Sequence, residues 1–262
     1  MSLIHPTAII HEGAEIASDV EVGAYSIIGP NVKIASGCVV HPHVIVDGHT
    51  TIDENNKFYS FSCIGGSPQD LGYKGEPTEV IIGKGNSFRE YVTVHRGTTK
   101  QDQKTVVGND CLFMAHVHLG HDVIVGDKCI FANSVNLAGH VTIGNRVIIG
   151  GGTNVSQFIS IGRGSYLGGA TAIDRDIPVF CTAYGNRAKL KGINIVGLRR
   201  SGQSRQEITG LVDFYRLMEA SALSPRAFVD QPAQYEEYKE NALVGEMVKF
   251  IKDSDVGIAP FV

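Results

Sequence analysis

Tryptophan is absent from the 262 residues, methionine occurs only four times, and aromatic residues make up 8% of the chain. Such a composition suits many tight corners and few large core cavities. No stretch approaches the eighteen or more apolar residues of a membrane span, so no membrane-crossing helix is expected. The start, Met-Ser-Leu-Ile-His-Pro, lacks a basic region followed by an apolar run. No secretory leader is therefore expected, and the compartment reads as cytoplasmic. Five cysteines, an odd number without framework spacing, argue against a disulfide scaffold. Cys38, Cys111 and Cys129 read instead as small buried hydrophobes. The net charge of −4 provides no basic surplus, so nucleic acid is not an expected partner.

Glycine is abundant, with 31 residues, and so is a repeat of six. Large apolar residues recur without a gap at Ile4, Ile10, Ile16, Val22, Ile28, Ile34, Val40, Val46, Ile52, Phe58 and Ile64. The series continues at Ile82, Phe88 and Val94, and then from Val107 through Phe113, Leu119, Val125, Phe131, Leu137, Ile143, Ile149, Val155, Ile161 and Leu167 to Ile173. A period of six fits neither a helix nor simple strand alternation. It marks a hexapeptide solenoid, a parallel β-helix in which each unit forms one face of a triangular coil. Four residues after each large side chain comes a second, mostly smaller one, such as Val117, Val123, Cys129, Val135 and Val141. These two positions fill the coil. At three units per coil the series makes roughly nine coils, stacked at ~4.8 Å into a prism roughly 40 Å long.

Two loops interrupt the pattern, at about 65–81 and 95–106; the first preserves the phase and the second shifts it by one. Loops leaving a regular solenoid often carry function. The repeat ends near Ile173. From 177 to 206 there is no Asp or Glu, whereas Arg187, Lys189, Lys191, Arg199, Arg200 and Arg205 are present. A basic segment in an acidic chain points to an anionic partner. Ser204 with Glu207 forms a possible capping box, and Ile208, Leu211, Val212, Tyr215 and Met218 follow at helical spacing. Leu243, Met247, Phe250 and Ile251 mark another helix. The expected organisation is a β-helix over 1–183, then a basic linker and a small α-helical domain over 184–262, packed on the solenoid and on neighbouring copies.

The candidate chemistry lies in Phe113–Val123, which contains His116, His118, His121 and Asp122. None of these histidines occupies an inward position. Residues eighteen apart should lie above one another, which aligns His121 with Gly139 and Gln157, and Asp122 with His140 and Phe158. A neutral imidazole held by Asp122 is a general base, a role typically worth ~10²–10⁴ in rate. The Gly139 amide, with no side chain to block approach, is an oxyanion donor. No serine or cysteine stands out as a nucleophile, so the arrangement suits direct attack of a substrate hydroxyl on a carbonyl. Two alternatives remain at this point. One is a zinc site using His116, His121 and a third histidine (His95, His118 or one from a neighbouring subunit), as in β-helix carbonic anhydrases. The other is a purely structural solenoid.

Several segments add a resemblance: Pro68–Leu71, Tyr73–Thr78, His95-Arg-Gly-Thr98, His118-Leu-Gly-His-Asp122, Leu137-Ala-Gly-His140, Gln157-Phe158, Gly185-Asn186 and Asn194–Arg200. In this order, and over essentially the whole chain, they resemble the acyl-[acyl-carrier-protein]–UDP-N-acetylglucosamine O-acyltransferases, which catalyse the first step of lipid A synthesis. The resemblance implies a left-handed β-helix and a homotrimer with active sites between subunits. It also implies acyl carrier protein and UDP-N-acetylglucosamine as partners, with neither cofactor nor metal. By the motif match, His121 is the base that removes the proton from the sugar 3-hydroxyl as it attacks a (R)-3-hydroxyacyl thioester; Asp122 orients it and Gly139 is the oxyanion donor. His118, His140, Gln157 and Asp70 match substrate contacts, and Asn194 and Arg200 match residues that hold the UDP portion. Gly169 matches the position that measures acyl length, although a corner could also demand a glycine there. Three positions depart from the family pattern. Ser156 replaces a frequent His, Val196 replaces an acidic residue, and Gly72 replaces a Lys, with Lys74 as a nearby substitute. A 3-amino sugar acceptor is the alternative these departures raise.

Overall fold

The computed structural model describes residues 3–262. Parallel strands, most only two residues long, stack into three sheets of nine, eight and ten strands that form the faces of a left-handed triangular prism. Successive coils pair in steps of eighteen residues, as where Ile10 faces Ile28 and Leu119 faces Leu137. Each short strand turns one side chain inward. Phe58, Phe88, Phe113 and Phe131 form an internal column with ring centroids 5.0, 4.8 and 5.2 Å apart. The smaller series, including Cys38, Val44, Cys111, Val117 and Cys129, is likewise buried. All five cysteines are free thiols.

Between strands the chain turns a corner by placing one residue in the left-handed region. Several of these residues are not glycine: Tyr25, His43, Phe61, Tyr91 and His116 at one edge have φ of 59–67°. Their rings stack in sequence along that edge, at spacings from 5.3 to 4.8 Å. The stack helps offset the backbone cost of the conformation.

Both loops leave the prism at the same corner, in consecutive coils. Across the first, Ile64 faces Val94, thirty residues on; across the second, Val94 faces Leu119, twenty-five residues on. Arg96 ties the two together. Its guanidinium donates to Tyr73 Oη, to the Gly65 carbonyl and to Ser67 Oγ at 2.9, 2.7 and 3.0 Å.

Beyond Ile173 the solenoid does not simply stop. Cys181–Tyr184 adds a further parallel rung on Tyr166–Leu167, and Lys189–Ile193 folds back antiparallel against it. The basic segment is therefore largely ordered, and the strand Cys181–Tyr184 spans the division expected between 183 and 184. Four helices follow: α1 (Ile195–Arg200), α2 (Arg205–Ala220), α3 (Pro225–Val229) and α4 (Ala242–Asp253). The Ser204–Glu207 capping box closes in both directions at the start of α2, satisfying donors that a helix start leaves open. Phe214, Phe228 and Tyr235 form the centre of the helical unit. The tail returns to the prism through the bridges Asp176–Ile258 and Leu190–Phe261, and Arg163 pairs with Glu246 of α4.

Candidate active site

The corner from which the loops emerge is also where Asp122, His140 and Phe158 stack, with φ of 59, 64 and 66°. The eighteen-residue step therefore sets one polar column on that edge. The His140 ring lies flat on Phe158 at 4.5 Å and meets the His121 ring edge-on at 5.0 Å. These side chains leave the coil, yet His121, Asp122 and His140 are only 5, 4 and 7% exposed. The second loop covers them.

Asp122 is the hub. His121 Nδ1 lies 2.9 Å from Asp122 Oδ2; because an ionised carboxylate only accepts, the proton sits on Nδ1 and Nε2 is left as the free base. Thr98 donates to the same carboxylate through its backbone N–H, 2.9 Å from Oδ1, and through Oγ1, 2.7 Å from Oδ2. His140 Nδ1 is hydrogen-bonded to Gln101 Oε1 at 2.6 Å. His140 titrates below the ordinary histidine range, chiefly because burial disfavours its charged form, against the pull of Asp122.

Gly139 lies directly beneath the His121 imidazole. A Cβ there would come within 2.6 Å of His121 Nε2 and 2.9 Å of Nδ1, so only glycine allows the ring this position. The Gly139 N–H donates to no acceptor among the described residues, unlike those of Ala138 and His140 on either side. Base and open amide thus adjoin, an arrangement able to remove a proton and stabilise a developing oxyanion at one carbonyl.

His121, Asp122, Gly139 and His140 therefore come together. His118 stands next to them, its Nδ1 hydrogen-bonded to Thr93 Oγ1 at 2.7 Å and its ring edge-on to His95 at 4.8 Å. Burial lowers both pKa values, that of His95 to about 4. Gln157 is exposed on the next coil. Asp70, on the first loop, pairs with Lys100 of the second at 2.5 Å.

Other residues are elsewhere. His116 lies flat on Tyr91 in the aromatic stack of a different corner, so the alternative zinc grouping of His116 with His121 does not form among the described residues. A different trio, His121, Asp122 and His140, offers atoms within 4.8 Å of one another that could hold a metal ion. Asp122 Oδ2 in that trio already accepts from His121 and Thr98. Asn194 and Arg200 line a separate cleft of about 460 Å³ with Lys128, Arg146, Ile130 and Tyr166. The Asn194 amide caps α1 by accepting from Gly197 N–H and donates to the Gly164 carbonyl. Gly169 is beside a corner, but the left-handed residue there is Ala170. A Cβ at 169 would meet the Gly151 carbonyl at 3.1 Å, so close packing rather than a left-handed turn favours glycine. Among the departures, Ser156 and Val196 are exposed. Lys74 faces its own loop, with Nζ 3.5 Å from the Leu71 carbonyl. Thr98, Lys100 and Gln101 carry no individual signal in the sequence beyond Thr98 ending the motif that begins at His95.

Comparison with known proteins points to one family. The family profile described as "Udp N-acetylglucosamine O-acyltransferase; Domain 2" matches residues 176–259, and the bacterial transferase hexapeptide profile matches 104–139. The chain is 47% identical over 231 residues to the acyl-[acyl-carrier-protein]–UDP-N-acetylglucosamine O-acyltransferase of Saccharophagus degradans, covering 88% of this chain and 90% of that one. The protein of that name from Thermodesulfovibrio yellowstonii is 42% identical over 258 residues, covering 98% and 99%. Among solved structures, the UDP-N-acetylglucosamine O-acyltransferase of Moraxella catarrhalis superposes with a TM-score of 0.93 at 40% identity, covering 98% of this chain and 99% of that one. The chain belongs to the acyl-[acyl-carrier-protein]–UDP-N-acetylglucosamine O-acyltransferase family.

Proposed function

We propose that the protein transfers an (R)-3-hydroxyacyl chain from acyl carrier protein to the 3-hydroxyl of UDP-N-acetylglucosamine, in lipid A biosynthesis. The observation that carries this reading is the His121 imidazole, fixed through Nδ1 by Asp122 and lying over the Gly139 amide, which is unpaired among the described residues. His121 Nε2 takes the proton of the attacking hydroxyl. The new C–O bond forms as the thioester carbonyl becomes an oxyanion at Gly139 N–H. The C–S bond then breaks, and the proton passes from His121 to the departing thiolate. His118, His140, Gln157 and Asp70 hold the sugar.

Asn194 and Arg200 belong to a cleft that does not contain His121. This separation supports a homotrimer in which one subunit's base faces the nucleotide-binding cleft of its neighbour. The acidic carrier protein docks on the basic surface of the C-terminal region. The reaction uses neither metal nor cofactor and takes place in the cytoplasm; no helix among the described residues is long and apolar enough to cross a membrane. Gly169 leaves room for the distal acyl chain.

The test is mass spectrometry of UDP-N-acetylglucosamine incubated with the protein and a ladder of hydroxyacyl carrier proteins, with a chelator present. A product one hydroxyacyl group heavier is expected, its mass reporting the preferred chain length. His121→Ala should lower turnover by ~10²–10⁴ with an unchanged melting temperature. Near-normal turnover of that variant would remove the base assignment. Product formed only from a 3-amino acceptor would redirect the substrate assignment.

A further inference from the structure

Two loops from consecutive coils meet at one ion pair beside the site. Lys100 Nζ of the second loop lies 2.5 Å from Asp70 Oδ2 of the first. The Asp70 side chain is 11% exposed, while that of Lys100 is 57% exposed. The other Asp70 oxygen accepts the Gly72 N–H at 2.6 Å. Lys100 and then Gly72 hold the Asp70 carboxyl below its usual range, and the influence of His121 also reaches it. The ammonium lies close enough to His140 to help keep that imidazole neutral, after burial. Two other residues of its loop are committed: Thr98 to Asp122 and Gln101 to His140.

Gly72 leaves the space beside this ion pair open. A Cβ built at residue 72 would lie 2.9 Å from Asp70 Oδ1 and in ordinary contact, 3.6 Å, with both Cε and Nζ of Lys100. The lysine from the second loop thus occupies the space that a longer side chain at 72 would fill. Lys74 does not reach it. Its backbone N–H is bound to Glu76 Oε2 at 2.8 Å, and its ammonium turns to the Leu71 carbonyl. An ammonium carries three donors on a flexible stem. One is used by Asp70, and the exposed remainder is available to an oxygen-rich anion entering beside His121.

We propose that Lys100, not Lys74, is the lysine that binds the sugar nucleotide beside His121, and that it does so by standing in the place left open at Gly72. This rests on the reading of the protein as a UDP-N-acetylglucosamine acyltransferase. Lys100 donates to oxygens of the bound nucleotide sugar, Asp70 fixes its direction, and the contact is made in the ground state and the transition state alike. Its loss therefore raises KM and leaves kcat nearly unchanged.

The test is steady-state kinetics with UDP-N-acetylglucosamine varied at saturating hydroxyacyl carrier protein, accompanied by melting curves. Lys100→Met should raise KM by on the order of tenfold or more, as removal of a charged hydrogen bond does, with kcat within about threefold. Lys74→Met should leave both unchanged. An unchanged KM for Lys100→Met would overturn the proposal, as would a rise produced by Lys74→Met instead. If the unsubstituted enzyme made no acylated product, the parent reading and this one would fall together; normal turnover with an unchanged KM removes this one alone.

Discussion

Thr98 grips Asp122 through both backbone and side chain, its N–H 2.9 and 3.1 Å from the two carboxylate oxygens and its Oγ1 2.7 Å from Oδ2. With His121 on the same Oδ2, the carboxylate is fixed in the one orientation that keeps the imidazole proton on Nδ1. Thr98→Val retains the side-chain shape and removes the hydroxyl donor. A hydrogen bond to a charged group is worth about 1.5–3 kcal/mol, so kcat should fall by roughly 10–100-fold at about 1.4 kcal/mol per factor of ten. Thr98→Ser should recover most of the loss. Rate measurements beside melting curves check this, and a Val variant with normal kcat would show that the hydroxyl does not orient the base.

Gly139 supports a sharper expectation, because the imidazole lies where a methyl group would go. With a Cβ only 2.6 Å from His121 Nε2, Gly139→Ala must push the ring off its Asp122 hydrogen bond or tilt it away from the substrate. The expected result is loss of at least ~10²-fold in kcat, the lower range of general-base catalysis. The melting temperature should change little, since the displaced ring lies outside the coil. Substrate binding by equilibrium dialysis should persist. Retained activity would mean that the ring has another productive position.

Inside the coil, Asn86 replaces the usual aliphatic residue and is fully buried. Its Nδ2 reaches Asn56 Oδ1 and the carbonyls of Gly83 and Gly108 at 3.0, 3.0 and 2.9 Å, while its Oδ1 accepts the Cys111 N–H at 2.8 Å. These bonds bridge the coils on either side of the second loop, where the register departs from eighteen. Asn86→Val would strand several buried polar groups, each costing about 1–3 kcal/mol. Denaturant unfolding should show a loss of about 3 kcal/mol or more. Cys129→Val, at an equivalent inward position, should cost under about 1.5 kcal/mol.

The prism was legible in the sequence because a side chain's destination there depends only on its place within six residues; Phe58, Phe113 and Leu137 needed no knowledge of distant chain. The same arithmetic aligned His121 with Gly139 and Asp122 with His140. It failed where contacts leave the period. Thr98 meets Asp122 across twenty-four residues and Gln101 meets His140 across thirty-nine, neither a multiple of eighteen, because both start from a loop. Adjacency in sequence also misled. His116 and His121 are five apart, yet the strand His118–Leu119 lies between them and puts them at different corners, and His116 stacks on Tyr91 instead. The basic segment read as a linker because its strand alternation is short, and its pairing partner, Tyr166–Leu167, is supplied by the previous coil.

His95 provides a test by pH. Its Nδ1 is buried without a hydrogen-bond partner among the described residues, and burial first, then the nearby His118, His121 and Arg96, lowers its pKa to about 4. In the unfolded chain a histidine titrates near 6.5. Between those values the unfolded state binds more protons than the folded state, so stability rises with pH across the window and falls as pH drops from about 6.5 towards about 4. His118 and His140, also lowered by burial, act in the same direction, whereas buried Asp176, raised by burial, acts in the opposite one. Comparison with His95→Gln isolates the one residue. The melting temperature of the native protein relative to that variant should be highest above pH 7 and should decline steadily to pH 4.5. A constant difference across that range would mean that His95 is not held neutral by its surroundings.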